Sequence, residues 1–461
     1  MGSIIAVIGI VLFMTGMPIA FALGLTALIS ILMFLEPSEF ELFGKFLYDS
    51  VNNFGLLAIP LFVLMGNLFG GSVASRHLFE AGEAWLSKVR GGLGMSSVLA
   101  CSVFAALTGS SPATSAAIGR IAVPEMIGRG YSSRIATGAI AAGGTLGILI
   151  PPSVTLILYG IAAEVSIGQL FAAGVIPGIL VTALFCIWIF IAVTMEQRAE
   201  VREQSMATAD AGSRGQPTGR SSGATATRGR YVNAEYTWAE RFSALLRVVP
   251  FLVLILCILG VLYSGIATPS EAAAVGVVLV IVLLGLVYRG LKPRQFLHVL
   301  LETTNQSTMI LTITAFSAVI ATVLSFLSVP QDLALMVTEL EINRWVIMVV
   351  INLFLLVMGL FLPPVSIIVM VTPVLYPLII GLGFDPIWFG IIMTLNMEMG
   401  LITPPVGLNL YVLKGIAPDV PLKEILIGTA PYVGVLAVGI VVLSIFPGIV
   451  TWLPEQLYQG G

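Results

Sequence analysis

GSSPATSA, residues 109–116, sits in the middle of an apolar run, with SSVLACSVFAALT before it and AIGRIAVPEMI after it. Hydroxyls, a proline and small residues stand where a membrane span would carry leucine and isoleucine. Irregular backbone at bilayer depth is tolerated only where protein buries it or where it lines a cavity, because an unpaired peptide group in hydrocarbon is costly. The flanking charges say how the run is threaded. Lys88 and Arg90 precede it and Arg129 and Arg134 follow it, and such residues are enriched in cytoplasmic loops. Both ends of 92–128 are therefore expected on the cytoplasmic face. The run is then a re-entrant hairpin with GSSPA at its tip.

The rest of the 461-residue chain has the same character, 58% hydrophobic and 10% charged with a mean hydropathy of +1.04, as in a polytopic membrane protein. Runs of span length lie near 4–34, 52–72, 133–164, 170–194, 248–266, 270–288, 303–327, 386–413 and 426–452. The first has no basic leader and is too long for a signal-peptide core, so it reads as one span. A second interrupted run, 344–382, carries FLPPVSI (361–367) at its centre. Counting sidedness onward puts the loop 195–247 inside with eight of the 21 basic residues, among them Arg198, Arg202, Arg228, Arg230 and Arg247. Arg289, Lys292, Arg294, Lys414 and Lys423 also fall inside. Lys45 and Arg344 fall outside, where Glu36, Glu39, Glu41, Asp332, Glu339, Glu341 and Asp385 dominate. On this count the N-terminus is cytoplasmic, the C-terminus periplasmic, and the second hairpin opens outward.

The segments after the two hairpins repeat. GILIPPSVTLILYGIAAEVSIGQLF (147–171) aligns with GLITPPVGLNLYVLKGIAPDVPLKEIL (400–426), sharing Gly-x-x-x-Pro-Pro, a tyrosine (Tyr159, Tyr411) and Gly-Ile-Ala-x-acid-Val. One copy starts from inside and the other from outside, which makes an inverted repeat, a common plan of secondary transporters. Each unit reads as span, surface arm, hairpin, broken span, span, with amphipathic arms at 76–90 and 330–342. The expected fold is thus an all-α polytopic membrane protein, an inverted repeat with two re-entrant helical hairpins and two broken transmembrane helices.

The interruptions form two matched pairs: the tips 109–114 and 361–366, and the breaks 143–153 and 396–407. Half-helix C-termini expose carbonyls which, with Ser110, Ser111, Thr145, Ser366, Asn396 or Thr403, would make an oxygen cage suited to Na+. Half-helix N-termini present free N–H groups suited to a carboxylate. An organic anion is thereby expected against the tip and break residues Ser111, Pro112, Thr114, Pro152, Ser153, Pro364, Pro405 and Asn409. Scattered hydroxyls such as Thr26 and Ser317 read as interhelical packing. Arg120, about two turns beyond the first tip, reads as snorkelling or pairing with hairpin carbonyls, with a substrate carboxylate as the other reading. Glu398 in the second break is balanced between ion-site tuning and structural pairing. Glu271 follows ATPS and reads as a first-turn acid behind an N-cap at Ser270, while His77 and His298 read as surface residues of membrane-flanking arms.

Other functions lack their chemistry. There is no HExxH, no intramembrane histidine and no pair of aspartates at depth, so no enzyme and no transition-metal site is expected. No cofactor is implied beyond Na+ as a coupling ion. No phosphate-cradling loop and no basic face outside one loop support nucleic-acid binding. Cys101, Cys186 and Cys257 lie in apolar runs as small hydrophobes. The middle of 195–247, ATADAGSRGQPTGRSSGATATRGR, reads as a disordered, solvated linker, with contact to anionic lipid as the other reading.

These residues resemble a known family. GMPIAFALG (16–24), IPLFVLMGNL (59–68), GSSPATSAAIG (109–119), GILIPPS, YGI, GIATPSEAAAVG (265–276) and GLITPPVGLNLYV occur in the order seen in DctM-like proteins. These are the large membrane (M) subunits of tripartite ATP-independent periplasmic (TRAP) transporters. The resemblance implies a Na+-coupled, elevator-type carrier of ion-transporter-superfamily architecture in the bacterial inner membrane. It carries the family's ion sites onto the regions of Ser110, Ser111, Gly144 and Thr145 and of Pro363, Ser366, Asn396 and Thr403. It also implies two partners besides the lipid bilayer: a small four-span membrane subunit (Q-type) and a periplasmic substrate-binding protein (P-type). The substrate could be a C4-dicarboxylate, a sialic acid, a keto acid or a compatible solute. A stand-alone carboxylate carrier of related fold is the alternative. The linker at about 200–235 is longer and more basic than the family pattern.

The expected organisation is 1–91 scaffold spans and arm, 92–165 first hairpin and broken span, 166–194 a span, and 195–247 the cytoplasmic linker. It continues with 248–343 scaffold spans and arm, 344–414 second hairpin and broken span, and 415–461 last span and tail. The hairpins and broken spans would form the transport domain.

Overall fold

The computed structural model describes residues 2–35, 42–70, 72–213, 235–288, 292–339 and 342–458, and all the regular structure among them is helical. Six continuous helices among these residues are long and apolar enough to cross a bilayer, and a pair bent by 55° at residues 52–53 makes a seventh.

The first half begins with α1 (Gly2–Met14) and α2 (Ile19–Phe34). α3 (Leu42–Val51) then bends into α4 (Ala58–Gly70), and α5 (Ala74–Leu86) is the first arm. The first hairpin is α6 (Gly92–Thr108) and α7 (Ser111–Gly128); the first broken span is α8 (Ser133–Thr145) and α9 (Val154–Ala162); α10 (Ile167–Ser213) follows. The second half runs through α11 (Trp238–Tyr263), α12 (Pro269–Val282), α13 (Pro293–Phe326) and the arm α14 (Val329–Glu339). Its hairpin is α15 (Arg344–Gly359) and α16 (Pro364–Gly381), and its broken span is α17 (Pro386–Leu401) and α18 (Leu408–Ile416). α19 (Leu422–Ile445) and α20 (Gly448–Tyr458) close the described chain. Both hairpins and both broken spans thus stand where the repeat put them.

Local chemistry sets the ends. Thr237 with Glu240 and Thr268 with Glu271 form reciprocal capping boxes on α11 and α12, each satisfying two orphan N–H groups. Asp385 caps α17 by accepting from Trp388 N at 2.7 Å, and Ser153 caps α9 by accepting from Leu156 N. Packing then relies on small residues, as expected where lipid offers apolar groups no incentive to leave it. A Cβ on Gly66 would fall 2.6 Å from the Thr108 carbonyl, bringing α4 against the end of α6. Gly138 of α8 and Gly428 of α19 likewise meet backbone to backbone.

Several expectations need correction. Residues 4–34 are two helices rather than one span: Gly16 turns with φ +78°, and a Cβ on Gly9 would meet Thr26 of α2 at 3.7 Å. Residues 17 apart on one helix would stand about 25 Å apart, so α1 and α2 are antiparallel. Residues 426–452 are also two helices, because Pro447 has no N–H to continue α19. The breaks are shorter than expected, opening after Thr145 and after Leu401; Asn396 and Glu398 lie on intact helix. α12 is capped by Thr268 rather than Ser270, whose hydroxyl instead donates to the Phe54 carbonyl at 2.9 Å. The expected linker is helical through Ser213 as an extension of α10. Its remainder, 214–234 with Arg228 and Arg230, lies outside the described residues, as do Glu36, Glu39, Glu41, Glu341 and Arg289 of the sidedness count. His77 is half-buried rather than a surface residue, its ring 5.8 Å from that of Tyr288 and its Nδ1 without a hydrogen-bond partner; His298 is exposed.

Candidate functional site

Each tip is docked onto its own break. At the first, Gly109 takes a left-handed conformation (φ +58°) that ends α6, and a Cβ there would lie 3.0 Å from the Pro152 carbonyl. A Cβ on Gly147 would fall 2.6 Å from the Ser110 carbonyl. At the second, a Cβ on Gly400 would fall 2.5 Å from the Gly359 carbonyl, and Val406 N donates to the Leu360 carbonyl at 3.2 Å. α16 has 18 residues, enough on its own to cross, but its N-terminus follows the tip, which is anchored against a break in the interior. Both breaks carry a cis proline pair, Pro151–Pro152 and Pro404–Pro405.

The first tip is held by hydroxyls. Thr114 Oγ1 donates to the Ser110 carbonyl at 2.8 Å and shares a 2.8 Å bond with Thr108 Oγ1. Pro112 stands in the first turn of α7, where its missing N–H leaves nothing unpaired. Ser153 Oγ donates to the Ile148 carbonyl at 2.6 Å beside buried Pro152, so the first break is closed by its own hydroxyl.

Two contacts join the halves at this centre. Asn409, on α18 of the second half, donates to Ser111 Oγ at 2.8 Å and to the Ala141 carbonyl at 3.1 Å, and accepts from Ser111 at 3.1 Å. Thr145, the last residue of α8, donates to the Ala142 carbonyl at 2.7 Å and lies 3.4 Å from Glu398 Oε2 on α17. Glu398 is fully buried, and among the described residues its Oε1 has no hydrogen-bond partner. Gly144 leaves room for Ser115 Oγ, which a Cβ would overlap; that hydroxyl is also buried and unpartnered.

The second pair is looser. Asn396 Nδ2 donates to the Ile392 carbonyl at 3.2 Å and to Asn352 Oδ1 of the facing hairpin arm. Both amide hydrogens are thereby used, which leaves Asn396 Oδ1 as an acceptor. Ser366 Oγ is buried without a partner, two residues into α16 from Pro364. Thr403 Oγ1 donates back to the Met399 carbonyl at 2.5 Å, and Pro363 is the half-buried N-cap of α16. Pro404 and Pro405 are exposed, whereas Pro151 and Pro152 are buried. The repeat tyrosines differ likewise: Tyr159 donates to the Pro386 carbonyl at 2.6 Å from a buried position, while Tyr411 is exposed.

The structure therefore brings Ser110, Ser111, Thr114, Gly144, Thr145, Pro152, Ser153 and Asn409 into one cluster and Asn396 against Asn352 of the second hairpin. Pro405 faces outward. Arg120 is exposed and, among the described residues, makes no hydrogen bond or ion pair, which fits snorkelling rather than pairing with hairpin carbonyls. Three polar groups escaped the sequence reading: Asn352, Ser115 and the role of Glu398 as the link between halves. A lone asparagine in VVINLFLLV (349–357) was the available signal for the first.

Outside the centre, a cleft of about 650 Å³ lies between α5, the end of α7 and the start of α11. On its wall Arg129 pairs with Glu83 at 2.5 Å and with Glu125 at 2.6 Å. Burial and the Glu83 acceptor push the Tyr236 hydroxyl there up to about 12.

Known proteins resemble this chain over nearly its whole length. The family model described as tripartite ATP-independent periplasmic transporter, DctM component, matches residues 6–449. The chain is 36% identical over 436 residues to the C4-dicarboxylate TRAP transporter large permease protein DctM of Pseudomonas aeruginosa, covering 95% of this chain and 94% of that one. It is 33% identical over 473 residues to the protein of the same name from Vibrio cholerae, covering 98% and 97%. The crystal structure of the Alcanivorax borkumensis YdaH transporter superposes with a TM-score of 0.57 at 14% identity, covering 90% of both chains, a likeness of fold.

Proposed function

The chain belongs to the DctM component family of tripartite ATP-independent periplasmic transporters, and on that premise we propose that it carries out Na+-coupled uptake of a C4-dicarboxylate or related carboxylate. The observation that carries this reading is the convergence of two tips and two breaks, joined across the halves by Ser111 with Asn409 and Thr145 with Glu398. Free carbonyls and hydroxyls suit Na+, and the N-termini of α7 and α16 suit a carboxylate. The names of the relatives favour a C4-dicarboxylate among the anions this chemistry would accept.

In this reading a periplasmic binding protein delivers the substrate and a small four-span subunit braces the large one in the inner membrane. The hairpins and broken spans move as one body in an elevator-type cycle. α10 packs on α20, α6 and α8, and α19 on α8, so in this reading both travel with the moving body. The antiparallel α1–α2 pair returns the N-terminus to the side of α14, since a Cβ on Gly2 would meet Val329. That side is periplasmic by the charge count, so we place the N-terminus outside, contrary to a count that treats 4–34 as one span.

Uptake of labelled C4-dicarboxylate into proteoliposomes holding this chain and its small partner tests the proposal. Accumulation that needs both a Na+ gradient and the binding protein is the expected result. Robust uptake without the binding protein would identify a stand-alone carrier instead.

A further inference from the structure

Among the described residues Glu398 is the one carboxylate that is 0% exposed, and the proposed cycle has not used it. It is the fourth residue from the end of α17, and it faces the first break across the repeat boundary through Thr145. Among the described residues its Oε1 has no hydrogen-bond partner and no Lys, Arg or His pairs with it. A buried carboxylate without a counter-charge is strongly unfavourable. Nearby, Ser115 Oγ is also fully buried and unpartnered, packed against Gly144 beside Thr145. Two orphaned oxygens and a threonine hydroxyl around one helix end ask for a cation.

The neighbouring side chain on α17 sharpens the point. Asn396 turns toward Asn352 of the second hairpin, while Glu398 turns toward Thr145 of the first broken span. α17 therefore faces the second hairpin with a neutral amide and the first broken span with a carboxyl group.

We propose that Glu398 is a direct ligand of the cation at the first break, supplying the formal negative charge that the hydroxyls and carbonyls of Ser110, Ser111, Gly144 and Thr145 lack. This rests on the Na+-coupled reading above and adds a ligand from the opposite repeat to it. The cation then ties the two halves together, and loss of the cation leaves a bare carboxylate inside the moving body.

The test is Na+ titration of the purified membrane complex, read as thermal stabilisation at constant ionic strength with choline as the replacement cation, for wild type, Glu398→Gln and Thr145→Val. Glutamine keeps the shape and hydrogen-bonding reach of the acid but removes the charge. The expected result is a loss of apparent Na+ affinity of roughly tenfold or more in Glu398→Gln, as when a charged partner becomes neutral. Thr145→Val is expected to lose several-fold less, and Na+-driven uptake should shift in the same order. Wild-type Na+ affinity in Glu398→Gln overturns the proposal, because the acid then serves as a neutral structural group. If that variant does not fold, unchanged Na+ affinity in Thr145→Val overturns it equally. A wild-type protein that Na+ does not stabilise or drive removes the Na+-coupled reading itself, and the ligand assignment with it.

Discussion

Ser111 and Asn409 stand 298 residues apart in the chain and exchange hydrogen bonds at 2.8 and 3.1 Å, both fully buried. The tip of the first hairpin is therefore positioned by a side chain of the second repeat. Asn409→Ala removes the Ser111 partner and the additional bond to the Ala141 carbonyl. We expect a destabilisation of about 1–3 kcal/mol, the cost of buried polar groups left unmade, seen as a lower melting temperature and reduced uptake. Wild-type melting and uptake would show that the tip holds its place without Asn409.

Ser111→Ala and Asn396→Ala are expected to reduce Na+-dependent uptake while expression and membrane insertion stay intact. Asn352→Ala should resemble Asn396→Ala, because Asn352 accepts one of the two amide hydrogens that orient Asn396. A double-mutant cycle on Na+ affinity should give a coupling of about 0.5–3 kcal/mol, as for residues in contact. Strict additivity would mean that the two amides act separately.

Gly400→Ala places a methyl group 2.5 Å from the Gly359 carbonyl, where only backbone can yield. The expected cost is about 1–3 kcal/mol of overpacking, with uptake falling as the second tip is pushed off its break. Gly434→Ala on α19 meets nothing within 4 Å, and should fall within about 0.5 kcal/mol of wild type or stabilise the helix. Equal melting temperatures for the two variants would deny the close approach.

Two ion pairs should differ in weight. Arg134 and Glu424 meet at 2.6 Å with side chains 52% and 27% exposed, so solvent and salt screen the pair and Glu424→Ala should leave the melting temperature nearly unchanged. Glu83 is buried beneath Arg129; removing it leaves that guanidinium with Glu125 alone of its two carboxylate partners. Glu83→Ala should cost about 3 kcal/mol, with weak salt dependence. Thermal melts of both variants at low and high salt decide the order, and a larger loss at Glu424 would reverse it.

Much of this architecture could be read from the chain because hydrocarbon punishes irregular backbone so heavily. Any hydroxyl-rich or proline-rich interruption of an apolar run had to mark a tip, a break or a turn. GSSPATSA, FLPPVSI and the two Gly-x-x-x-Pro-Pro strings accordingly stand at the tips and breaks observed. The same reasoning failed where an interruption was mild. Thr15 to Pro18 turned α1 back on α2, and Pro447 split the last span; in both places the apolar run reads through a turn that only packing reveals.

The sequence by itself determined the fold class, the repeat and the four interruptions, since each follows from hydropathy, charge asymmetry and local backbone chemistry. Only the tertiary structure decided which groups meet: Asn409 with Ser111, Glu398 with Thr145, and Asn352 with Asn396. The same holds for matched residues with unequal surroundings, such as buried Tyr159 and exposed Tyr411. Partner choice across hundreds of residues depends on how helices rotate and cross, and a linear pattern of apolar and polar residues carries the face a helix must bury but not the side chain that will lie opposite.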